Sequence, residues 1–266
     1  MIDVNYDFFR DGTTGDLDAT SPTLRKYHKI LWSKPLPNGH FFELSDTKKG
    51  VYLYHKSELG EFFLGSDIIT QSYIYRKNNQ WLVEKIPDKL FYEIYNKGYT
   101  IGQSIIFPNN KIDGKMTING MRGCNSKIDD RFDLTLECIR RFYSGETSPL
   151  YDTFLRYKNF FDLFDDFNGY VKFFLLDDLV DENRNIKFFS PFDNFNSSPK
   201  FSDIEMYILY IKGVLDFIKQ RSIRIEKYTQ TTIKDKATLR IVKRECNSSR
   251  TSLARIKKTT KDLTII

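Results

Sequence analysis

Arg122, Gly123, Asn125, Ser126 and Arg131 lie within ten residues of one another. They are the ingredients of an anion site: glycine lets the backbone approach a ligand, helix-start N–H groups point at it, and guanidinium groups pair with its charge. The chemistry would be recognition of a phosphate group, with Lys127 nearby. The stretch from Asn119 to Ser126 matches neither GxxxxGK[ST] nor GxGxxG, the two phosphate loops with a defined spacing. A plainer reading of the same residues is a capped turn. In it, Asp129 and Asp130 already occupy the position that a helix dipole favours for negative charge. Asp130, Asp133 and Glu137 share a helix face, so an enzyme could use Asp130 or Asp133 for a divalent metal or for proton transfer. They also alternate with Arg131, Arg140 and Arg141 at the spacing of ordinary solvated ion pairs. His28 and His55 are the histidines that would converge with them in a catalytic pocket. The three histidines show no HxH or HExxH spacing, so no metal site is assigned, and no cofactor motif is evident.

These residues need elements to position them. Met116 to Ile118 reads as a short strand, Asn119-Gly120 and Arg122-Gly123 as a tight turn, and Ile128, Phe132, Leu136, Ile139 and Tyr143 as one face of a helix capped by Ser126. Upstream, Ser21-Pro22 opens a helix bearing Leu24, Tyr27, His28 and Leu31, ending near Trp32. FFEL, VYLYH and EFFLGSD follow as strands separated by turn residues, with TQSYIY as a further candidate. WLVEKIPDKLFYEIYNKG predicts a helix interrupted at Pro87 and closed by Gly98, before a strand over Tyr99 to Phe107. Downstream, a helix is expected from Ser148-Pro149 through Asp166, with Gly169 ending it. YVKFFLL and IKFF then read as strands around an acidic turn, and a last helix starts at Asp203. Meandering strands followed by segregated helices predict an α+β fold. The sheet is mostly antiparallel, lies in the N-terminal half, and carries helices packed on a single aromatic-rich core.

The 266 residues include 23 Phe and 16 Tyr, enough to close that core. Cys124, Cys138 and Cys246 lack the pairing arithmetic of a disulfide framework, so reduced thiols are expected. No leader peptide or membrane span is visible, and the expectation is a soluble cytoplasmic protein without membrane contact. The net charge of +6 is terminal: residues 229–266 hold ten Lys or Arg against three acids, and the rest is 31 basic against 32 acidic. The chain therefore divides into an α+β body over 1–228 and a basic, weakly structured extension over 229–266.

SPTLRKYHKILWSKPLPNG, YLYHKSELGEF, KMTINGMRG, DRFDLTLECIRR, FNGYVKFFLLDDLV and KFFSPFD resemble a bacterial family catalogued only as a domain of unknown function. The resemblance spans about residues 6–228 and implies one bacterial globular unit. It carries no catalytic or binding residue over. Two readings of function remain open. In the first, a phosphate-containing ligand, nucleotide or nucleic acid, binds at loop 119–126. In the second, a non-catalytic interaction protein meets polyanions only through its basic tail.

Overall fold

The computed structural model describes residues 1–12, 16–47, 52–69 and 80–231. Short helices α1 (Phe8–Asp11) and α2 (Leu17–Thr20) precede α3 (Pro22–Trp32). The start of α3 is the predicted one: Ser21 Oγ accepts from Leu24 N at 3.2 Å and Pro22 takes the first turn, where its missing N–H costs nothing. Leu24, Tyr27, His28, Leu31 and Trp32 form its buried face.

A two-stranded hairpin, β1 (Lys34–Pro35) with β2 (Phe41–Phe42), leads into β3 (Ser45–Asp46), β4 (Leu53–Ser57) and β5 (Gly60–Ile68). After α4 (Gln80–Val83) and α5 (Asp88–Lys97), β6 (Ser104–Pro108) closes an antiparallel sheet of order β3-β4-β5-β6. Its register pairs Leu53 with Leu64 and Ser66 with Ile106. The expected break at Pro87 separates α4 from α5. Residues 70–79, which include TQSYIY, lie outside the described residues.

Every residue of β6 is buried although, among the described residues, the strand is an edge. An exposed edge offers unpaired carbonyls to other chains. Here Arg221 covers it, donating through Nη1 to Gly102 O and Ser104 O, both at 2.9 Å.

The second half is helical: α6 (Ile118–Cys124), α7 (Phe132–Tyr143), α8 (Tyr151–Arg156), α9 (Lys158–Asp162), α10 (Phe167–Phe173) and α11 (204–231). Four expectations are corrected here. The glycine stretch is helix α6, not a strand and loop, because Thr117 caps it by accepting from Gly120 N at 3.2 Å. The predicted helix of 148–166 is broken into α8 and α9. YVKFFLL belongs to α10 and the adjoining turn: Asp166 accepts from Gly169 N at 2.7 Å, and Phe167, Tyr170, Val171 and Phe174 fall on one buried face. Gly169 is thus inside a helix, and a Cβ there would collide with the Phe164 carbonyl oxygen. The IKFF strand reduces to one antiparallel bridge, Val180 with Ile186.

The core is aromatic, as expected. Phe164 meets Phe173 at 4.9 Å, Tyr170 meets Phe174 at 4.8 Å, and Trp32 meets Phe174 at 5.2 Å between ring centres. Helix α7 runs through it with every residue from Phe132 to Ile139 buried. Ile2–Ile225 forms one compact unit. Among the described residues no helix is long and apolar enough to cross a membrane.

Candidate functional site

The turn from Asn125 to Arg131 joins α6 to α7 and sets where the candidate residues point. Asn125 ends α6, accepting Lys127 N on Oδ1 at 2.9 Å and donating Nδ2 to Pro149 O at 3.2 Å. Ser126 is exposed and does not cap α7, whose first turn starts after Arg131. Asp129 and Asp130 both adopt left-handed backbone, with φ of 47° and 65°. That region costs an L residue about 1–2 kcal/mol, least for Asn and Asp. Asp129 N to Asn125 O at 2.8 Å and Asp130 N to Arg122 O at 2.9 Å hold it.

Arg122, on α6, is fully buried and turns inward. It pairs with Asp67 at the end of β5, reaches the Asp130 carboxylate at 3.9 Å, and donates Nε to Thr135 Oγ1 at 3.0 Å. Nη2 donates to Asp130 O at 3.2 Å, and the plane lies near the rings of Phe107 and Phe132. Chemically it is a staple that joins sheet, turn and central helix.

Arg131 turns the other way. It donates Nε to Asp133 Oδ1 at 3.1 Å, Nη2 to Asp133 Oδ2 at 2.5 Å and Nη1 to Ser190 Oγ at 2.5 Å. Asp133 Oδ2 also accepts Phe189 N at 3.0 Å, so the pair anchors the 187–192 segment against α7. The expected ion-pair face of α7 holds for Glu137 alone, and it is buried rather than solvated: Glu137, 5% exposed, accepts from Arg140 Nε at 2.8 Å and Arg141 Nε at 2.7 Å, whereas Asp130 lies before the helix and Asp133 pairs with Arg131 two residues back.

In front of Arg131 lies a cavity of about 130 Å³, walled also by Lys127, Ser190, Ser197, Ser198 and Lys200. Ser190 accepts from Arg131, which leaves its O–H to donate and strengthens it as a donor. Lys127 donates to Asn196 O, spending one of three ammonium protons. Asp193 is on the wall too, but its carboxylate accepts Ser197 N at 2.8 Å and Ser197 Oγ, and these bonds hold its pKa below the usual range. Two ammonium groups thus meet hydroxyl donors in front of the Arg131–Asp133 pair, and the Asp193 carboxylate is bonded within its own loop. Lys200 and the serines come from Asn196-Ser197-Ser198-Pro199-Lys200, whose composition marks a polar turn and nothing more.

The other candidates lie elsewhere. Gly123 is exposed on α6, and a Cβ there would meet no atom within 4 Å. His28 is fully buried: Trp32 Nε1 donates to its Nδ1 at 2.9 Å, which places the ring proton on Nε2, facing Ser104 Oγ at 3.1 Å. Burial, with Arg221 adding, pushes its pKa down to about 3. His55 sits beside Phe42 with ring centres 4.2 Å apart, and its Nδ1 is 2.9 Å from Glu43 O. Burial lowers its pKa as well. Neither histidine reaches the cavity of Arg131. Of the acidic group after α10, Asp178 takes both arms of Arg224 at 2.8 and 3.0 Å, and Asp177 pairs with Lys172 at 3.0 Å. Among the described residues no group of His, Cys, Asp and Glu has the arrangement to hold a metal ion. Cys124 and Cys138 are free thiols.

One comparison places the chain. A family model matches residues 2–225, the same span as the compact unit that holds the cavity. The chain belongs to the family of unknown function DUF6994. No curated protein and no solved structure matches it. The cavity of Arg131, Lys127 and Lys200 therefore lies wholly within the DUF6994 portion, whereas the basic stretch 229–266 falls beyond it.

Proposed function

We propose that this protein binds a phosphate-containing small molecule in the cavity before α7, with Lys127 and Lys200 as the cations that meet it, Ser190 and Ser198 as hydroxyl donors, and Arg131 behind Ser190. The observation that carries this reading is the cavity itself: Lys127 and Arg131, both from the turn between α6 and α7, meet Lys200 from a distant loop around one small hollow. Its volume of about 130 Å³ suits a phosphate group rather than a whole cofactor. Arg131 supports the site from behind, its charge balanced by Asp133 and its effect passed on through Ser190. Arg122 keeps the turn in place and takes no part in contact. Gly123, Asn125 and Ser126 hold the preceding helix end and turn, outside the wall. Phosphate esters are abundant in the bacterial cytoplasm, the setting expected from the sequence. The other polyanion contact read from the sequence, residues 229–266, rests on its charge, and residues 232–266 lie outside the described residues.

The test is calorimetric titration with inorganic phosphate and ribose 5-phosphate at fixed ionic strength, on the full chain and on Lys127→Ala/Lys200→Ala. Both lysines project from loops, so the variant should melt like the wild type. Saturable binding that weakens at least tenfold in the variant is the expected result. No binding by the wild type, or equal binding by the variant, would remove the proposal.

A further inference from the structure

We infer that the ligand is a nucleotide, its base lying in a second, larger groove that shares a wall with the phosphate cavity. The inference rests on the phosphate reading above and adds the class of molecule attached to the phosphate. The groove, about 800 Å³, runs between the 187–192 segment and α11, and Ser190, Pro191 and Phe192 wall both it and the cavity of Arg131. A hollow of this size falls in the range of ~300–1,000 Å³ that small-molecule sites occupy. A phosphate held against Ser190 therefore has its ester substituent at the edge of a space that can hold it.

The chemistry of the groove suits a planar heterocycle. Phe188 and Phe192 are already stacked there, 4.2 Å between centres and 17° between planes, and both are half-buried. Phe192 also meets the Phe195 ring and the Arg141 guanidinium, so a base would extend the stack on Phe188, a contact open to any base because each has a π-face. The opposite wall is one stripe of α11, Leu209, Lys212, Gly213, Asp216 and Gln220, recurring at helical spacing. Lys212, Asp216 and Gln220 offer donors and acceptors to the edge of a base, while Leu209, 59% exposed, offers apolar cover. Gly213 brings the two walls together: a Cβ there would come 3.2 Å from Phe189 Cδ1, so the aromatic segment lies close on the helix. A lipid chain would find this groove open and rimmed with charge. An aromatic floor, a polar rim and an adjoining cation cavity are the three parts that a nucleotide requires.

Titration with adenosine 5′-monophosphate, ribose 5-phosphate and adenosine separates the parts. The nucleotide should bind at least tenfold tighter than ribose 5-phosphate, and Phe188→Leu, which keeps apolar bulk and removes the stacking face, should erase most of that advantage without changing ribose 5-phosphate affinity. Leu209→Asp, at an exposed position, is a second variant expected to do the same by placing a carboxylate at the rim. If ribose 5-phosphate binds and the nucleotide gains nothing, or if the advantage survives both variants, the inference falls and the phosphate reading stands. If no phosphate compound binds, both fall.

Discussion

Replacing His28 with Gln should make a pH-dependent difference in stability, with a sign that the buried geometry fixes. The Trp32 N–H occupies Nδ1 at 2.9 Å, so a second ring proton could enter only by displacing it and by placing a cation in a fully buried site beside Arg221. The folded-state pKa is accordingly about 3, against an ordinary 6.5. Below the ordinary value the unfolded chain takes up a proton that the folded chain refuses. Stability is therefore fully present above about pH 6.5 and falls by ~1.4 kcal/mol per unit as pH drops towards about 3, a total on the order of 5 kcal/mol. Gln at this position does not titrate. At about pH 8 the variant should be less stable by ~1–3 kcal/mol, because Trp32 or Ser104 loses a good partner in the core. That gap should close below about pH 6.5 and change sign near pH 5, where the acid penalty of the wild type equals the loss in the variant. Asp18, whose pKa burial raises to about 6, works in the opposite direction, since the folded chain protonates it first and gains stability as pH falls. It does so in both proteins and cancels in the difference. Urea unfolding of the two proteins at several pH values reads the quantity directly. A gap that stays constant from neutral to acid pH would mean that His28 is not held neutral and would refute the reasoning.

Two further substitutions test the elements around the candidate site. Gly123→Ala should raise the urea midpoint, by ~0.4–1 kcal/mol in stability, because the residue is helical and a Cβ has open space; a loss would show that the residue needs a conformation other than helix. Arg122→Met should cost ~3–5 kcal/mol by stranding the Asp67 carboxylate, and adding Asp67→Asn should recover part of the loss; an additive double variant would show that the pair is not coupled.

The parts of the fold legible in the sequence are those with one buried face. In α3 and α11 the apolar residues recur at helical spacing because the opposite side is wet, and in β4 and β5 turn residues bracket short aromatic and branched runs. The stretch from Leu150 to Phe174 has no such contrast. It packs Phe154, Phe160, Phe161, Phe164, Phe167, Tyr170, Phe173 and Phe174 around a common centre, so aromatic residues face several directions and no single period survives. FNGYVKFFLL then looks strand-like by composition, although Asp166 caps a helix there. In α6, two glycines spaced by three read as a turn, although one of them, Gly123, simply lies on the wet side of a helix. Glycine permits left-handed backbone but does not require it.

The candidate site was legible in two members, Lys127 and Arg131, and not in the others, for a reason that follows from α7. Ionic residues on a helix normally mark its solvent face, so Asp133 and Glu137 read as a surface stripe. A helix buried all round must instead have its charges neutralised where they stand, since an unpaired buried charge costs several kcal/mol. Glu137 finds partners within its own helix, at spacings that a sequence shows. Asp133 is served by Arg131 and by the backbone of Phe189, 56 residues away, and Arg131 by Ser190, 59 residues away. No local pattern contains that information. What aims Arg131 at Ser190 while Arg122 faces Asp67 is the left-handed pair Asp129-Asp130, which reverses the chain between two arginines nine residues apart. The cavity thus owes its position to a backbone conformation that Asp tolerates better than most residues. The two carboxylates that looked like catalytic or dipole-favoured charges are, by their φ angles, the residues that turn the chain.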